Sequence, residues 1–411
     1  MQCNEYIVFK IPSHPFFPKS PAIAGLFEHN MIMKKNKYLI PAILAAVFIV
    51  GLALHLLLFP DVSRDYNVFL SKWIKAFAQN GLNAAAVSRS DYNAPYLVIC
   101  YIASFCKGWE MTFIKLVSTL FDVFLCAGAF LLVRKLSNTS KAIITTCIIW
   151  LLPTVIFNSA WWSQCDSLYV SLCVWSLYIL VSEKRVWLSP FLAGVAFAIK
   201  IQTIFFLPVF IVALLAKRIR LWHATFFPVG FLAACLPGIL LGYPVERIFT
   251  VYGEQIGGYS AMSLNSASIW SVLTFDNISP LATLIAVLVV LLIFVYAYTE
   301  KESINLFQYA LLFSCIIPFL LPHMHDRYFY MFEIFAVIGA ILYKKYSIAI
   351  LAQLAGLFVY RHYMGTVDAA WFERMPFTDS SAAAGCLMGV AVVIVIYNML
   401  KKDKKTIDNH P

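Results

Sequence analysis

The densest group of polar side chains in the 411-residue sequence lies between two apolar segments, in LPHMHDRYFY. His323, His325, Asp326 and Arg327 all fall within this short stretch. A His-x-His pair can ligate a metal ion. Alternatively, it can donate hydrogen bonds to a phosphate that the arginine guanidinium binds with two N–H donors. No dense set of carboxylates accompanies the pair, so phosphate binding is favoured. A polar helix cap without chemistry is the alternative.

Lys200 lies inside the apolar run AIKIQTIFFLP, two residues before Gln202. A charge inside an apolar segment is costly unless it is paired or faces a cavity. A functional lysine is therefore the favoured interpretation. The alternative is that its ammonium group snorkels to the membrane interface.

Carboxylates follow the first apolar segment and begin a later one. Asp61 and Asp65 lie in PDVSRDYNVFLSKW, where partial desolvation at a bilayer edge raises the pKa of an acid and makes it a better base. Ordinary solvation of both side chains is the alternative. Asp166 follows two tryptophans in NSAWWSQCDSLY. A buried acid there needs a partner, whereas the tryptophans alone would fit an aromatic belt.

The composition indicates that these residues are positioned by membrane helices. Hydrophobic residues make up 61% of the chain and charged residues 13%, with a mean hydropathy of +0.79. Soluble proteins carry about 25% charged residues, so this surface must face lipid. The net charge of +10 gathers in short clusters between apolar runs, which is typical of cytosolic membrane loops and not of nucleic-acid binding. The sequence predicts an all-α, polytopic integral membrane protein.

About twelve transmembrane helices are predicted, since crossing the hydrocarbon core takes about 20 apolar residues. They lie near 39–59, 112–133, 142–158, 167–182, 187–199, 203–216, 222–242, 280–298, 305–322, 328–343, 346–362 and 381–400. The short apolar stretch Ala94–Cys106 is placed at the outer interface, because the alternative inverts the basic clusters that follow it. The stretch 187–216 is divided into two short helices that meet near residues 200–202.

Clusters of lysine and arginine set the orientation. Lys34, Lys35 and Lys37 place the N-terminus in the cytosol, and five later clusters alternate onto the same side. These are Arg134, Lys135 and Lys141; Lys184 and Arg185; Lys217, Arg218 and Arg220; Lys344 and Lys345; and Lys401, Lys402, Lys404 and Lys405. The prediction is a multi-pass cell-membrane protein with both termini in the cytosol.

A single transmembrane domain is expected over residues 33–405. Residues 1–32 are interpreted as a disordered extension or a misassigned start, and residues 406–411 as a cytosolic tail. The ten cysteines show neither a CxxC pair nor the Cys/His spacing of a zinc site.

The predicted outer segments contain most of the acidic residues, the histidine pair and the tryptophan pair, so a site should face outward. These segments are 60–111, 159–166, 200–202, 243–279, 323–327 and 363–380. Segments 243–279 and 363–380 are expected to bind an acceptor, although neither contains a recognisable motif. Asp122 and Glu333, inside predicted spans, are left unexplained.

Five elements in this order resemble the C-type glycosyltransferases (the GT-C superfamily), which use polyprenyl-phosphate sugars. The resemblance is greatest to bacterial mannosyltransferases related to the second GPI mannosyltransferase, and it covers roughly residues 39–400. The elements are Asp65-Tyr66 with Trp73; Tyr92-Asn93-Ala94-Pro95-Tyr96-Leu97; Trp162-Ser163-Gln164-Cys165-Asp166; Lys200 and Gln202 before Leu207-Pro208; and His323-x-His325-Asp326-Arg327-Tyr328. Two positions depart from the pattern: one proline of the turn is replaced, and Ser163 stands where the pattern has glycine.

The resemblance implies a GT-C-like fold and transfer of a hexose, mannose or glucose, from a polyprenyl-phosphate donor. The acceptor would be a cell-envelope glycan or glycolipid, and the anomeric centre would invert. Asp65 is implied as the general base, with Asp166 sharing or orienting that role. Because charge develops on the leaving phosphate, phosphate binding is assigned to Lys200, His323, His325 and Arg327. Substrate contacts are expected from Tyr66, Asp91, Tyr92, Trp162, Gln164, Gln202 and Tyr328.

The resemblance also implies action without a metal or other cofactor, and a divalent metal near Asp61 and Asp166 is the alternative. The competing functions are a transporter or flippase of a lipid-linked sugar and a non-catalytic scaffold. A transporter should show repeats and charges along a path through the membrane. Here most charges cluster at the faces, which favours an enzyme.

Overall fold

The computed structural model of the protein describes residues 39–88, 90–275, 277–365 and 380–401. Within them the chain forms seventeen α-helices, and the all-α prediction is confirmed. They are α1 (Leu39–Leu58), α2 (Ser71–Asn80), α3 (Ala84–Val87), α4 (Ala94–Ala103), α5 (Glu110–Leu136), α6 (Thr139–Leu151), α7 (Pro153–Ile156), α8 (Asp166–Ser182), α9 (Leu188–Ile199), α10 (Pro208–Leu215), α11 (Phe226–Leu240), α12 (Arg247–Gly257), α13 (Ser279–Thr299), α14 (Leu306–Leu320), α15 (Tyr330–Tyr343), α16 (Tyr346–Gly365) and α17 (Ser380–Leu400).

Short π- and 3-10 segments join several of these helices. The π-helices are Tyr66–Leu70 and Phe157–Trp161, and the 3-10 turns are Ile201–Phe205, Leu221–Thr225, Ile269–Ser271 and Lys301–Ser303. In the part of the chain that the structure describes, the only strands are β1 (Ser263–Leu264) and β2 (Met324–His325), which pair in parallel.

The chain divides by its contacts into residues 1–50 and residues 51–411. Every residue of the site described below belongs to the second unit. The predicted extension 1–32, the tail 406–411 and most of loop 363–380 lie outside the described residues.

Five helical stretches among the described residues are long and apolar enough to cross a membrane. They are Ile40–Leu58, Glu110–Leu136, Leu221–Leu240, Ser279–Thr299 and Ser381–Leu400. Thr139–Leu151 and Pro153–Trp161, bent by 48°, make a sixth if they form one span. Seven further apolar helices have 10–17 residues, short for a core of about 30 Å at about 1.5 Å per residue. These features are those of a membrane protein, but the count of about twelve spans is not confirmed.

Each of the twelve predicted spans nevertheless contains a helix, and the stretch 187–216 breaks at the predicted place. Helix α9 ends at Ile199, and Lys200 has an extended backbone with φ −153° and ψ 130°. A 3-10 turn follows, and Pro208 begins α10. Lys200 is therefore presented at a helix break and not along a helix face.

Two glycines bring α9 and α11 into backbone contact. A Cβ atom at Gly194 would lie 2.0 Å from the carbonyl oxygen of Phe227, and one at Gly230 would lie 2.1 Å from that of Phe191. Such small residues are typical of contacts between membrane helices. Helix α8 contacts both α5 and α9, so its first residue, Asp166, is fixed in the interior.

Lys115 of α5 is fully buried and caps the C-terminal end of α1. Its Nζ donates to the carbonyl oxygens of Leu58, Phe59 and Asp61 at 3.1, 3.0 and 2.5 Å. A cation is favourable there because the last carbonyls of a helix carry partial negative charge. This contact fixes the start of the segment that leads to Asp65.

The two acids that the sequence left unexplained are buried between helices. Asp122 Oδ2 lies 3.3 Å from Nε2 of His55, whose ring stacks on Trp150 with centroids 4.8 Å apart. Glu333 packs against Gly356, where a Cβ atom would lie 2.4 Å from Oε1 of the glutamate. Both acids therefore lie at contacts between helices.

Candidate active site

A cleft opens where six segments meet: the segment after α1, the residues before α4, the turn before α8, the break after α9, the end of α12 with the residues after it, and the loop between α14 and α15. It encloses about 1060 Å³, part of which is open to the surroundings. Its polar lining comprises Arg64, Asp65, Asp91, Gln164, Lys200, Gln202, Gln255, His325, Asp326 and Arg327, and its aromatic lining comprises Phe69, Trp73, Tyr92, Tyr259 and Tyr328.

Asp65 is held at the cleft by three hydrogen bonds to one oxygen. Its Oδ2 accepts from Nε1 of Trp162 at 3.0 Å, from Nε2 of Gln164 at 2.8 Å and from NH1 of Arg327 at 2.8 Å. Its side chain remains 17% exposed. Three donors, one of them charged, fix the orientation of this carboxylate.

The turn that contains Trp162 and Gln164 is fixed through its main chain. Ser63 Oγ donates to the carbonyl oxygen of Trp162 at 2.8 Å, and Ser118 Oγ donates to that of Gln164 at 2.7 Å. Ser163 between them has φ +62°, a left-handed conformation that glycine adopts far more easily than serine. Ser163, which departs from the GT-C-like pattern, therefore stands at a position that suits glycine.

Asp166 joins the two cations of the site. Lys200 Nζ donates to its Oδ1, Asn158 Nδ2 donates to its Oδ2 at 2.8 Å, and Arg327 Nε lies 3.6 Å from the same Oδ2. The side chain of Asp166 is fully buried, and that of Lys200 is 5% exposed. The buried lysine therefore has the partner that its position requires.

Arg327 stacks on an indole and faces three carboxylates. Its guanidinium carbon lies 4.6 Å from the ring centroid of Trp162, and its Nε lies 3.8 Å from Oδ1 of Asp326. Although burial acts to lower the pKa of Arg327, the charges of Asp326, Asp65 and Asp166 raise it well above its usual value. The guanidinium is therefore a permanent cation at the cleft.

The pKa values of His325 and Asp326 are both shifted from their usual values, chiefly by burial. Burial, together with the nearby charges of Arg327 and Lys200, lowers the pKa of His325 to about 4, with Asp65 opposing the shift. The ring is thus neutral at pH 7, and its buried Nε2 has no hydrogen-bond partner among the described residues. Burial raises the pKa of Asp326 to about 6, with Arg327 opposing and Asp65 adding to the shift.

The charges around Arg327 and Lys200 do not balance. They are the carboxylates of Asp65, Asp166 and Asp326 and the cations of Lys200 and Arg327. Because His325 is neutral, one net negative charge remains when all three carboxylates are ionised. Within the described ranges, no group of three or more His, Cys, Asp or Glu side chains is arranged to hold a metal ion.

The parallel pairing of β1 and β2 attaches the loop before β1 to the segment that carries His325. The main-chain N–H of His323 donates to the carbonyl oxygen of Met262 at 2.8 Å, and its ring Nδ1 donates to that of Ala261 at 2.7 Å. His323 does not line the cleft. The two histidines therefore have different positions. His325 lines the cleft, whereas the ring of His323 holds the loop before β1 in place.

A family model for glycosyltransferase family 87 matches residues 92–322, which is more than half of the chain. The chain belongs to glycosyltransferase family 87. This is a GT-C-type family, so the GT-C resemblance is confirmed at that level, and the closer relation to mannosyltransferases stays a prediction. No curated protein matches the sequence. The matched segment includes Asp166 and Lys200, whereas Asp65 and Arg327 lie on either side of it.

The family 87 protein brings most of the predicted site residues together. Asp65, Asp91, Tyr92, Gln164, Lys200, Gln202, His325, Arg327 and Tyr328 all line the cleft. Trp162 is fully buried and contacts Asp65 and Arg327. Tyr66, Asp166 and His323 do not line it. Asp166 reaches the site only through the two cations it holds.

Several residues of the family 87 site have no predicted role. Arg64, Gln255, Tyr259 and Asp326 line the cleft, and Asn158 holds Asp166. Asp326 carries a sequence signal, since it lies inside the histidine motif. Gln255 and Tyr259 belong to the segment 243–279 that is expected to bind an acceptor, but nothing in their spacing distinguishes them.

Proposed function

We propose that this family 87 glycosyltransferase moves a hexose from a polyprenyl-phosphate donor to a glycan or glycolipid of the cell envelope, with inversion at the anomeric carbon. Family membership supports sugar transfer. The observation that carries the finer proposal is the joint presence in one cleft of an oriented carboxylate, Asp65, and two cations, Lys200 and Arg327. A single-displacement transfer from a phosphate needs both kinds of group.

In the proposed reaction the acceptor hydroxyl oxygen bonds to the anomeric carbon while the bond from that carbon to the phosphate oxygen breaks. The electron pair of the broken bond leaves with the phosphate. Asp65 takes the hydroxyl proton, for which its ionised state is required. The hydrogen bonds that fix its Oδ2 hold the carboxylate in place while the hydroxyl approaches.

Lys200 and Arg327 are proposed to stabilise the negative charge that develops on the leaving phosphate. His325, neutral at pH 7 because its pKa is lowered to about 4, can add a hydrogen bond through Nε2. We assign Asp166 a positioning role, because it is buried outside the cleft lining and contacts both cations. No metal or other cofactor enters this proposal.

The acceptor is proposed to bind at the part of the cleft formed by Asp91, Gln255 and Tyr259. A carboxylate, an amide and a tyrosine offer the directional hydrogen bonds that a sugar hydroxyl needs, and the ring of Trp73 adds an apolar face. Tyr259 contacts His325 edge-on with ring centroids 4.6 Å apart. The residues proposed to bind the acceptor would therefore lie beside those proposed to bind the donor phosphate.

The cleft is proposed to face the outer side of the cell membrane, which follows from the predicted charge alternation. A single cysteine at position 91, in an otherwise cysteine-free protein, should react with an impermeant thiol reagent added to intact cells. Reaction only after the cells are opened would place the cleft on the cytosolic side.

The reaction is tested with purified protein, polyprenyl-phosphate mannose or glucose carrying a labelled sugar, and envelope glycolipids as acceptors. We expect label in the acceptor and an inverted anomeric configuration by NMR. Mass spectrometry of lipid-linked sugars and surface glycans from a deletion strain would identify the acceptor. Movement of the labelled lipid across vesicle membranes without transfer would support a transporter instead.

A further inference from the structure

A second cavity lies at the ends of α14 and α15 that are far from the cleft. It takes in about 550 Å³, part of which is open to the surroundings, and its lining includes Gln308 near the start of α14 and Tyr343 at the end of α15. The cleft-lining segment 325–328 joins the other ends of the same two helices. Helix α14 is about 22 Å long at about 1.5 Å per residue, so the cavity is separate from the proposed reaction site.

This cavity contains one positive charge and one donor without a partner. Lys345 is the one charged residue of the lining, and Asn398 and Gln308 are its two amide residues. Nδ2 of Asn398 is buried and has no hydrogen-bond partner among the described residues. None of the residues that line the cavity is acidic. Because a buried donor without a partner is costly, the cavity is suited to an anion that accepts hydrogen bonds.

An apolar groove adjoins the cavity and shares Met399 with it. The groove takes in about 640 Å³ between α13, α14 and α17, part of which is open to the surroundings, and its walls include Leu292, Leu312 and Ile396. The hydroxyl of Tyr296, its one polar side chain, donates to the carbonyl oxygen of Met399 at 3.4 Å. A cationic cavity beside an apolar groove has the polarity of a phospholipid.

We propose that the cavity and the groove together bind one anionic phospholipid of the surrounding bilayer. Its phosphodiester would contact Lys345 and Asn398, and one acyl chain would lie in the groove. Charge complementarity selects an anionic headgroup, since a choline headgroup would bring a second cation toward Lys345. Basic pockets between membrane helices on the cytosolic side are suited to such headgroups, and the predicted orientation places Lys345 there. The proposal does not depend on the reaction proposed above.

The test measures thermal unfolding of the full chain, purified in detergent and stripped of lipid. Phosphatidylglycerol, phosphatidylcholine and inorganic phosphate are added in separate titrations. Because a ligand that binds only the folded state stabilises it, we expect phosphatidylglycerol to raise the midpoint temperature saturably and the other two to have little effect. Native mass spectrometry should show one retained phosphatidylglycerol per chain.

Two variants and one matched control locate the site. Lys345→Gln and Asn398→Leu should each weaken phosphatidylglycerol binding at least about tenfold, which is about 1.4 kcal/mol. Lys344→Gln removes the same charge from the adjacent, exposed residue. This variant should bind phosphatidylglycerol as tightly as the unaltered protein does. The midpoint without lipid shows whether each variant folds. Equal binding by all variants, equal stabilisation by both lipids, or full stabilisation by phosphate alone would overturn the proposal.

Discussion

Arg327 donates a hydrogen bond of 2.8 Å from NH1 to Oδ2 of Asp65, across a sequence separation of 262 residues. The pair joins the segment after α1 to the loop between α14 and α15. Neither residue lies in the stretch 92–322 that matches the family 87 model. The cleft therefore combines the matched stretch with elements from both of its flanks.

The substitution Asp65→Asn should slow transfer at least about 100-fold, because removal of a general base typically costs about 100- to 10,000-fold in rate. Asparagine keeps the size of the side chain and its acceptor oxygen, so donor binding should persist. Turnover and donor affinity of purified variants are to be compared. Asp61→Asn is the control: the side chain of Asp61 is exposed and its contact with Lys115 uses a main-chain carbonyl. Near-normal turnover by Asp65→Asn would remove Asp65 from the mechanism.

The substitution Arg327→Lys should raise the KM for the donor by about tenfold or more, a loss of about 1.4 kcal/mol. A lysine ammonium is a point charge and cannot keep the bond to Asp65, the stacking on Trp162 and the contact with a phosphate at once. Arg64→Lys makes the same change at an exposed residue of the cleft and should have a smaller effect. Equal effects of the two substitutions would speak against phosphate binding by Arg327.

Transfer should continue in the presence of EDTA, because the proposed site stabilises the leaving phosphate with Lys200, His325 and Arg327. The rate of transfer is measured before and after dialysis against the chelator. Loss of activity that a divalent cation restores would contradict this expectation and would favour a metal near the carboxylates.

Protonation of Asp326 should improve donor binding. With its pKa raised to about 6, the groups around Arg327 carry one net negative charge above that pH and none below it. His325 does not interfere, because its pKa is lowered to about 4. Arg64 and Asp91, which also line the cleft, offset each other. The KM for an anionic donor should therefore fall as the pH falls through about 6.

The substitution Asp326→Asn should give a low donor KM that no longer changes near pH 6. It should also alter the pH dependence of stability. A carboxyl group whose pKa is raised on folding stabilises the protein fully below its unfolded pKa, and that contribution is lost as the pH rises through the folded value. Unfolding midpoints of the two proteins should thus diverge as the pH rises toward 6. A KM that shifts near pH 6 in both proteins would assign the titration to another group.

The substitution Lys115→Met should lower turnover more than it raises the donor KM, because Lys115 acts on Asp65 only through the main chain that it holds. Lys141→Met is the matched control, since Lys141 Nζ also donates to a carbonyl oxygen, that of Leu342, at 3.1 Å. Lys115→Arg should restore part of the rate. In an Asp65→Asn background, Lys115→Met should cause little further loss. An equal loss in both backgrounds would indicate a general effect on folding.

Much of the helical framework could be predicted from the sequence because hydropathy marks the apolar segments directly. Even the break near Lys200 was predictable, since the stretch 187–216 is too long for one spanning helix. The number of membrane crossings could not be predicted from the sequence, because several apolar helices are shorter than a membrane span. Helix length depends on breaks such as those at Pro153 and Pro208, and hydropathy averages across them.

The types of residue at the site were also predictable from the sequence, but the position of each residue within the site was not. Asp65 and Asp166 are both acids beside aromatic residues, and only the structure shows that one lines the cleft while the other lies beneath it. His323 and His325 form a symmetrical motif in sequence, yet the ring of His323 bonds a main-chain carbonyl. Such bonds depend on distant loops, which have no signal in local spacing.

The pairing of β1 with β2 gives the loop before Ser263 a mechanical connection to His325. That loop follows Tyr259, which lines the cleft, and it is fastened to the histidine segment by main-chain bonds and by the ring of His323. A movement of the loop that widens the cleft must either break these bonds or carry His325 with it. In the proposed arrangement, a shift of this loop on acceptor binding would displace His325, the residue proposed to contact the donor phosphate.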